Sequence, residues 1–225
     1  RSNDTDYAYR AHSAFSHLTG WASDTVAGSV LVLEPTAEGH IATLYFRKAA
    51  GRDSDEFYAN SEIGEFWTGP RPSLAHVAMD LGLLTADLAE FDRLLDSVDA
   101  HTIILRDSDR DLTDQIDGRR LLSTNTESAD TEDDADSEFA RDLSELRLVK
   151  DPWEIQQMRH AVAATKKGFD DVIADRDAIV AHERGERLVE GTFNRRARAE
   201  GNAVGYDTIA ASGPHACILH WTRND

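Results

Sequence analysis

A single cysteine, Cys217, in 225 residues allows no internal disulfide and no Cys-x-x-Cys metal knuckle, which excludes a disulfide-stapled mini-domain and a zinc ribbon. Basic residues are also scarce. The 24 Lys and Arg face 42 Asp and Glu, leaving a net charge of −18 with no local basic stripe. Such a balance repels phosphate backbones and anionic lipid, so neither nucleic acid nor a membrane surface is an expected partner. Long apolar runs are missing too, since the longest, near residues 26–33, is too short to span a bilayer. The polar opening, residues 1–6, carries no secretory pattern, and with the lone cysteine it sets the expectation of a cytoplasmic protein. Several mechanistic patterns are absent: there is no HExxH, no GxSxG, no Walker loop and no GxGxxG. Asn3-Asp4-Thr5 fits a glycosylation acceptor but is short enough to arise by chance.

What is present is unevenly spread. Between residues 123 and 145 nine acidic residues face one basic, Arg141, so one short stretch carries nearly half the net charge. Its first part, residues 123–137, is built of small polar and acidic residues. Such a composition buries too little apolar area to offset ordering, and reads as a mobile loop or a solubilising insertion rather than a tail for basic partners.

Before this stretch the pattern mixes strands and helices. Residues 29–33 and 41–46 are rich in β-branched and aromatic side chains and flank a segment with Pro35 and Gly39, which predicts neighbouring strands. Ser73 is placed to cap a helix through Leu81, with Leu74, Val77, Ala78 and Leu81 on one face. A second helix is expected over residues 86–95 and a buried strand over 101–105. After the stretch, Asp151-Pro152-Trp153-Glu154 puts an N-cap, an N1 proline and a capping-box glutamate in register. Ile155, Met158, Val162, Phe169, Val172 and Ile173 then recur near a helical period. A helix over Gly185–Glu200, with Gly201 at its end, leads to two expected strands, 206–211 and 216–221, joined by a Ser212-Gly213-Pro214 turn. The expected architecture is an α/β domain over residues 1–145, with an acidic loop at 123–138, and the start of an α+β domain over 146–225.

Two clusters could carry chemistry. In residues 215–221, strand parity would separate His215, Cys217, Leu219 and Trp221 from Ala216, Ile218 and His220, so the two histidines would not share one metal ion. Spacing alone favours His220 as a core histidine bonded to a carbonyl and Cys217 as a small buried hydrophobe. The second cluster, residues 65–71, offers Trp67 either as an anchor for a partner or pocket, or as a loop tryptophan folded onto its own domain.

Taken together these segments resemble the aminopeptidase P family, the Xaa-Pro aminopeptidases of the creatinase/prolidase pita-bread superfamily. Arg1-Ser2-Asn3-Asp4 through Tyr9-Arg10, with Phe15-Ser16-His17-Leu18-Thr19-Gly20, resembles the N-terminal pattern R-x-N-D-x-x-(Y/F)-x-(Y/F)-R…F-x-x-L-T-G. Glu65-Phe66-Trp67-Thr68-Gly69-Pro70-Arg71 resembles E-x-W-x-G-x-R. Leu146-Arg147-Leu148-Val149-Lys150, with Glu154-Ile155 and Met158-Arg159, resembles the approach to the catalytic domain. Gly205-Tyr206-Asp207-Thr208-Ile209, with Ala216-Cys217-Ile218-Leu219-His220-Trp221, resembles its hairpin.

The resemblance implies a creatinase-type α/β N-terminal domain followed by the opening of a pita-bread metallopeptidase domain. It implies a parent enzyme that releases the first residue of peptides with proline second, through two divalent ions, usually Mn²⁺, whose bridging hydroxide attacks the carbonyl. The family's five metal ligands, two Asp, one His and two Glu, follow the hairpin, so the chain to Asp225 is expected to hold no metal and to be inactive alone. By the same resemblance His220 is an active-site histidine that bonds substrate. The resemblance also implies that Tyr206, Ile209 and Leu219 line the pocket for the substrate's first residue, that Trp67 is a substrate-binding residue matching one that in tetrameric members reaches towards a neighbouring subunit's active site, and that the protein is a dimer or tetramer. His215 stands where the family commonly has Asn, and Trp221 where it has Tyr. Alternative functions are a prolidase acting on Xaa-Pro dipeptides and a non-catalytic module binding peptides or histones.

Overall fold

The computed structural model describes residues 9–21, 24–106, 108–123, 132–201 and 204–225, with the backbone alone at 132–134. The Arg1–Asp4 end of the first motif and most of the acidic stretch before Glu132 lie outside them. The chain divides into two units, Arg1–Leu148 and Val149–Asp225.

The first unit is built around a three-stranded sheet. Strands β1 (Val30–Thr36) and β2 (Gly39–Phe46) pair antiparallel, and β3 (Leu84–Asp87) adds to β2 in parallel. The two expected strands thus form, and they run further together than expected, through Pro35 opposite His40. Proline is tolerated there because β1 is an edge strand and need not donate outward.

Alternation along β2 sends neighbouring side chains to opposite faces. Leu44 and Phe46 join Trp21 and Val77, together with Phe15, Leu74 and Leu81 of helices α1 (Ser13–Thr19) and α4 (Leu74–Leu81). Tyr45 enters a second cluster, where Val30 and Val32 meet Phe91 and Leu95 of α5 (Phe91–Leu95) and Ile116 of α6 (Arg110–Ser123). Trp21 meets Phe46 edge-on at 5.1 Å and Tyr45 meets Phe91 at 5.5 Å, near the favoured aromatic geometry. Helices therefore cover both faces of a small mixed sheet, as the α/β reading requires. Between β2 and β3 lie α2 (Asp55–Ala59), α3 (Glu65–Thr68) and α4, whose cap is the expected one: Ser73 accepts from the His76 N–H.

Three expectations fail in this unit. The helix expected over 86–95 gives up its start to β3 and to a 3₁₀ turn, Leu88–Glu90, capped by Asp87. Residues 101–105 do not pair as a strand, because charged side chains take their backbone groups instead. The Ile104 N–H donates to Asp136 at 2.9 Å, and the Thr102 carbonyl accepts from Arg120. The acidic loop expected at 123–138 ends early, since α7 (Glu132–Leu146) begins inside it. Asp136 is the reason. Its side chain is 1% exposed and receives Arg120 through both terminal nitrogens, at 2.8 and 2.9 Å, and the Arg106 Nε at 2.8 Å. Burial alone would raise the Asp136 pKa, but the bonds from Arg120 and Ile104 and the two guanidinium charges hold it below the usual carboxylate value. A composition that reads as solvated thus contains one residue that is a buried counter-ion.

The second unit is helical. In α8 (Pro152–Ala174) both halves of the capping box form: Glu154 N–H donates to Asp151 at 2.8 Å, and Asp151 N–H to Glu154 at 2.9 Å. A short α9 (Arg176–Ala181) precedes α10 (Gly185–Glu200), which packs on α8. At that contact Gly168 is buried, and a Cβ there would stand 2.8 Å from the Phe193 ring, so the close approach requires glycine. Arg196 forks onto Asp171 at 2.7 and 2.9 Å beside it. Gly201 ends α10 in an extended conformation rather than a left-handed one.

The expected hairpin over 206–221 is absent. Residues 206–211 are irregular, and Gly213–Cys217 coils into a 3₁₀ turn with Pro214 near its start. No strand of this unit is found among the described residues, and two strands alone are marginal in water. The buried Asn224 does what a neighbouring strand would do: its amide accepts from the Ala210 N–H at 2.8 Å and donates to the Thr208 carbonyl at 2.9 Å.

Candidate functional site

The residues singled out by sequence fall in two places, one in each unit. In the first unit, the Glu65-to-Arg71 segment is ordered by its two charged ends. Glu65 accepts three backbone N–H groups: Ala50 at 3.0 Å, Gly51 at 3.2 Å and Arg71 at 3.0 Å. Desolvation opposes ionisation of this carboxyl, and those three bonds together with the Arg71 charge outweigh it, so its pKa is lowered. Arg71 in turn donates to the Lys48 and Ile63 carbonyls and pairs with Glu56. Gly64 and Gly69 make the segment possible. A Cβ at Gly64 would lie 2.4 Å from the Asn60 carbonyl oxygen, and Gly69 has φ +92°, where L-residues are strained.

Trp67 sits on this frame. The residue is 59% exposed, while its indole N–H is satisfied within the unit by the Tyr58 carbonyl at 2.8 Å. Phe66 and Tyr58 are exposed beside it, with Phe66 meeting Trp67 edge-on at 5.6 Å. The polar edge of Trp67 thus folds back on its own unit, and the rest of the side chain is exposed. The Leu18-Thr19-Gly20 motif also has a structural use. Thr19 is buried, donates to the Phe15 carbonyl at 2.8 Å and accepts from Trp21 N–H at 3.0 Å, and Gly20 closes α1 at φ +71°.

In the second unit the site is the irregular segment 206–221. Tyr206 and Leu219 are 82% and 87% exposed, Ile209 is also exposed, and so is His220. The expectation of a core histidine therefore fails, as does that of a buried Cys217, which is exposed. Strand parity was the wrong premise for both, because the chain turns through a 3₁₀ segment and alternation does not apply.

Behind these exposed residues lies a feature that sequence reading passed over. Trp221 is buried, stacks on His215 with ring centres 4.0 Å apart, and has the Arg223 guanidinium 4.5 Å from its ring centre. Both rings donate or bond to Glu186 in the first turn of α10: Trp221 Nε1 at 2.7 Å and His215 Nδ1 at 3.0 Å. Ser212 adds its N–H at 2.6 Å and its hydroxyl at 2.9 Å. Desolvation would raise the Glu186 pKa, but the bonds from Trp221, the Ser212 backbone, His215 and the Ser212 hydroxyl override it and hold it down to about 2. A single glutamate between Gly185 and Arg187 at the start of a helix gives no signal in sequence; its partners are 26 to 35 residues away. A cleft lined by Ile179, Val189, Glu186, Ala211, Pro214 and Asp225 opens beside this anchor.

Among the described residues, no group of three or more His, Cys, Asp or Glu side chains is arranged to hold a metal ion. None of the described helices is long and apolar enough to cross a membrane.

Comparison with known proteins agrees across the chain. Residues 1–104 match the family model described as "Aminopeptidase P, N-terminal domain". The whole chain is 40% identical over 229 residues to Xaa-Pro aminopeptidase 1 of Streptomyces coelicolor and 42% identical over 227 residues to Xaa-Pro aminopeptidase 2 of the same organism. It is 25% identical over 231 residues to Xaa-Pro aminopeptidase 3 of Homo sapiens. The chain spans 42% to 44% of the length of these relatives. Among solved structures, a low-pH form of aminopeptidase P from E. coli shares the fold, with a TM-score of 0.68 over all of this chain and 49% of that one at 22% identity. The chain belongs to the aminopeptidase P family and corresponds to its N-terminal portion.

Proposed function

We propose that the protein of which this chain is part is a metallo-aminopeptidase that releases the first residue from peptides with proline in the second position. The observation that carries this is similarity along the entire chain to proteins named Xaa-Pro aminopeptidase. The local geometry supports it. His220, Tyr206, Ile209 and Leu219 are all exposed, and an imidazole together with apolar and aromatic side chains supplies groups that suit a peptide's scissile amide and its first side chain.

In this reading His220 donates a hydrogen bond to substrate that strengthens as charge develops at the scissile group. The exposure of Trp67 supports a contact with a second subunit of a dimer or tetramer as part of this proposal, and the acidic composition and single cysteine suit the cytoplasm. The divalent ions, with Mn²⁺ the favoured one, belong to the proposal. The described residues offer no cluster that fits them, so no chemical step is derived through a metal.

The test is hydrolysis by the full-length protein with Mn²⁺. An Xaa-Pro-Xaa tripeptide should lose its first residue, His220→Ala should lower kcat by about 10²-fold or more, and residues 1–225 alone should show no metal-dependent turnover. Cleavage confined to the Xaa-Pro dipeptide would transfer the assignment to a prolidase. Inertness towards both would sink it.

A further inference from the structure

We propose that Glu186 is a positioning residue that sets the place of His220 by holding both ends of the segment that carries it. This deepens the reading of His220 given above and rests on it. One carboxylate gathers four donors from across ten residues of chain. Oε1 accepts Ser212 N–H, Ser212 Oγ and His215 Nδ1, while Oε2 accepts Trp221 Nε1. The Glu186 side chain is 10% exposed, so these bonds form largely out of competition with water. It lies in the first turn of a 16-residue helix, where the helix dipole favours a negative charge.

The consequence for His220 follows from the covalent chain. Trp221 is its immediate neighbour, buried and fixed by the indole bond and by stacking on His215, which the same carboxylate holds. On the other side, the 3₁₀ turn of Gly213–Cys217 starts at Ser212 and closes through the Ile218 N–H on the His215 carbonyl at 2.9 Å. The stretch between these fixed points is short, and the His220 carbonyl accepts from Thr222 N–H at 3.0 Å. Releasing Trp221 would let the His220 backbone move, and a displacement of about 1 Å at a catalytic contact can cost about 10²-fold in rate. A glutamine at 186 has the same shape but turns an amide NH₂ toward at least one of the four donors, so the frame cannot close in the same way.

The experiment is steady-state kinetics of the full-length enzyme on an Xaa-Pro-Xaa peptide, comparing wild type, Glu186→Gln, His220→Ala and the double variant. Glu186→Gln should lower kcat roughly 10- to 100-fold with KM within about threefold, because ground-state binding is spread over other groups. In the His220→Ala background the same change should cost less than about threefold, since the group it positions is gone. Losses that multiply in the double variant would overturn the proposal, and so would wild-type kcat in Glu186→Gln; both leave the role of His220 standing. Wild-type kcat in His220→Ala would instead overturn the role of His220 and the positioning proposal with it. If Glu186→Gln lacks a cooperative melt, Trp221→Phe keeps an aromatic ring to stack on His215 and removes the indole donor together with the five-membered ring. It should lower kcat about 3- to 10-fold, again only when His220 is present, and additive losses there would equally overturn the proposal.

Discussion

Two loops in this chain are each organised by one glutamate, and they differ in what the glutamate holds. Glu65 accepts only backbone N–H groups, from Ala50, Gly51 and Arg71, so the frame under Trp67 depends little on which side chains stand at those positions. Glu186 accepts one backbone N–H, but its other partners are the side chains of Ser212, His215 and Trp221. That frame depends on residue identity. The Glu65 frame sits in a unit with a sheet and two apolar clusters. A frame built on backbone N–H groups tolerates substitution at the positions it binds, whereas one built on side-chain donors does not.

Several changes would break or sharpen this contrast. The largest effect belongs to the core-backed unit: Arg120→Ala leaves Asp136 buried beside Arg106 alone and should cost about 3–5 kcal/mol in chemical denaturation. Replacing both Arg120 and Asp136 by apolar residues of similar volume should restore much of that loss. If it does not, the pair does more than satisfy itself. A smaller loss, about 1–3 kcal/mol, is expected for Glu65→Ala, because three N–H groups lose their acceptor, with local protection from hydrogen exchange lost at residues 50, 51 and 71. Unchanged exchange there would show that water replaces the carboxylate without cost.

The smallest and most local effect is on acidification. The Glu186 pKa is depressed, so its tethering is fully present above the ordinary glutamate range near 4.5 and is lost as pH falls through about 2. The Trp221 indole N–H resonance should therefore shift across that window while the backbone of α8 remains helical. A shift completed above pH 5 would contradict the four-donor environment.

How far the sequence could be read depended on the range of the interactions. The cap of α4, the capping box of α8, the span of α10 and the β1–β2 pair were all legible, because each is decided by residues within a few positions of one another. The segments 101–105 and 206–221 were not. Each had strand-like composition, but a strand exists only if a neighbour offers its ladder, and in these places Arg120, Asp136, Glu186 and Asn224 took the polar groups first. Exposed Cys217 and His220 follow from that substitution.

The sequence by itself determined the family, the α/β character of the first unit, the local helices and the identity of the residues presented at the two sites. Motifs of that kind are short strings, and their chemistry resides in the residues themselves. Only the tertiary structure decided that an acidic stretch hides a buried counter-ion, that an expected hairpin is a tethered loop, and that Glu186 is the residue to which the loop is tied. Hydrogen bonds to a buried carboxylate join positions far apart in the chain, and no local pattern records which distant donors will converge on it.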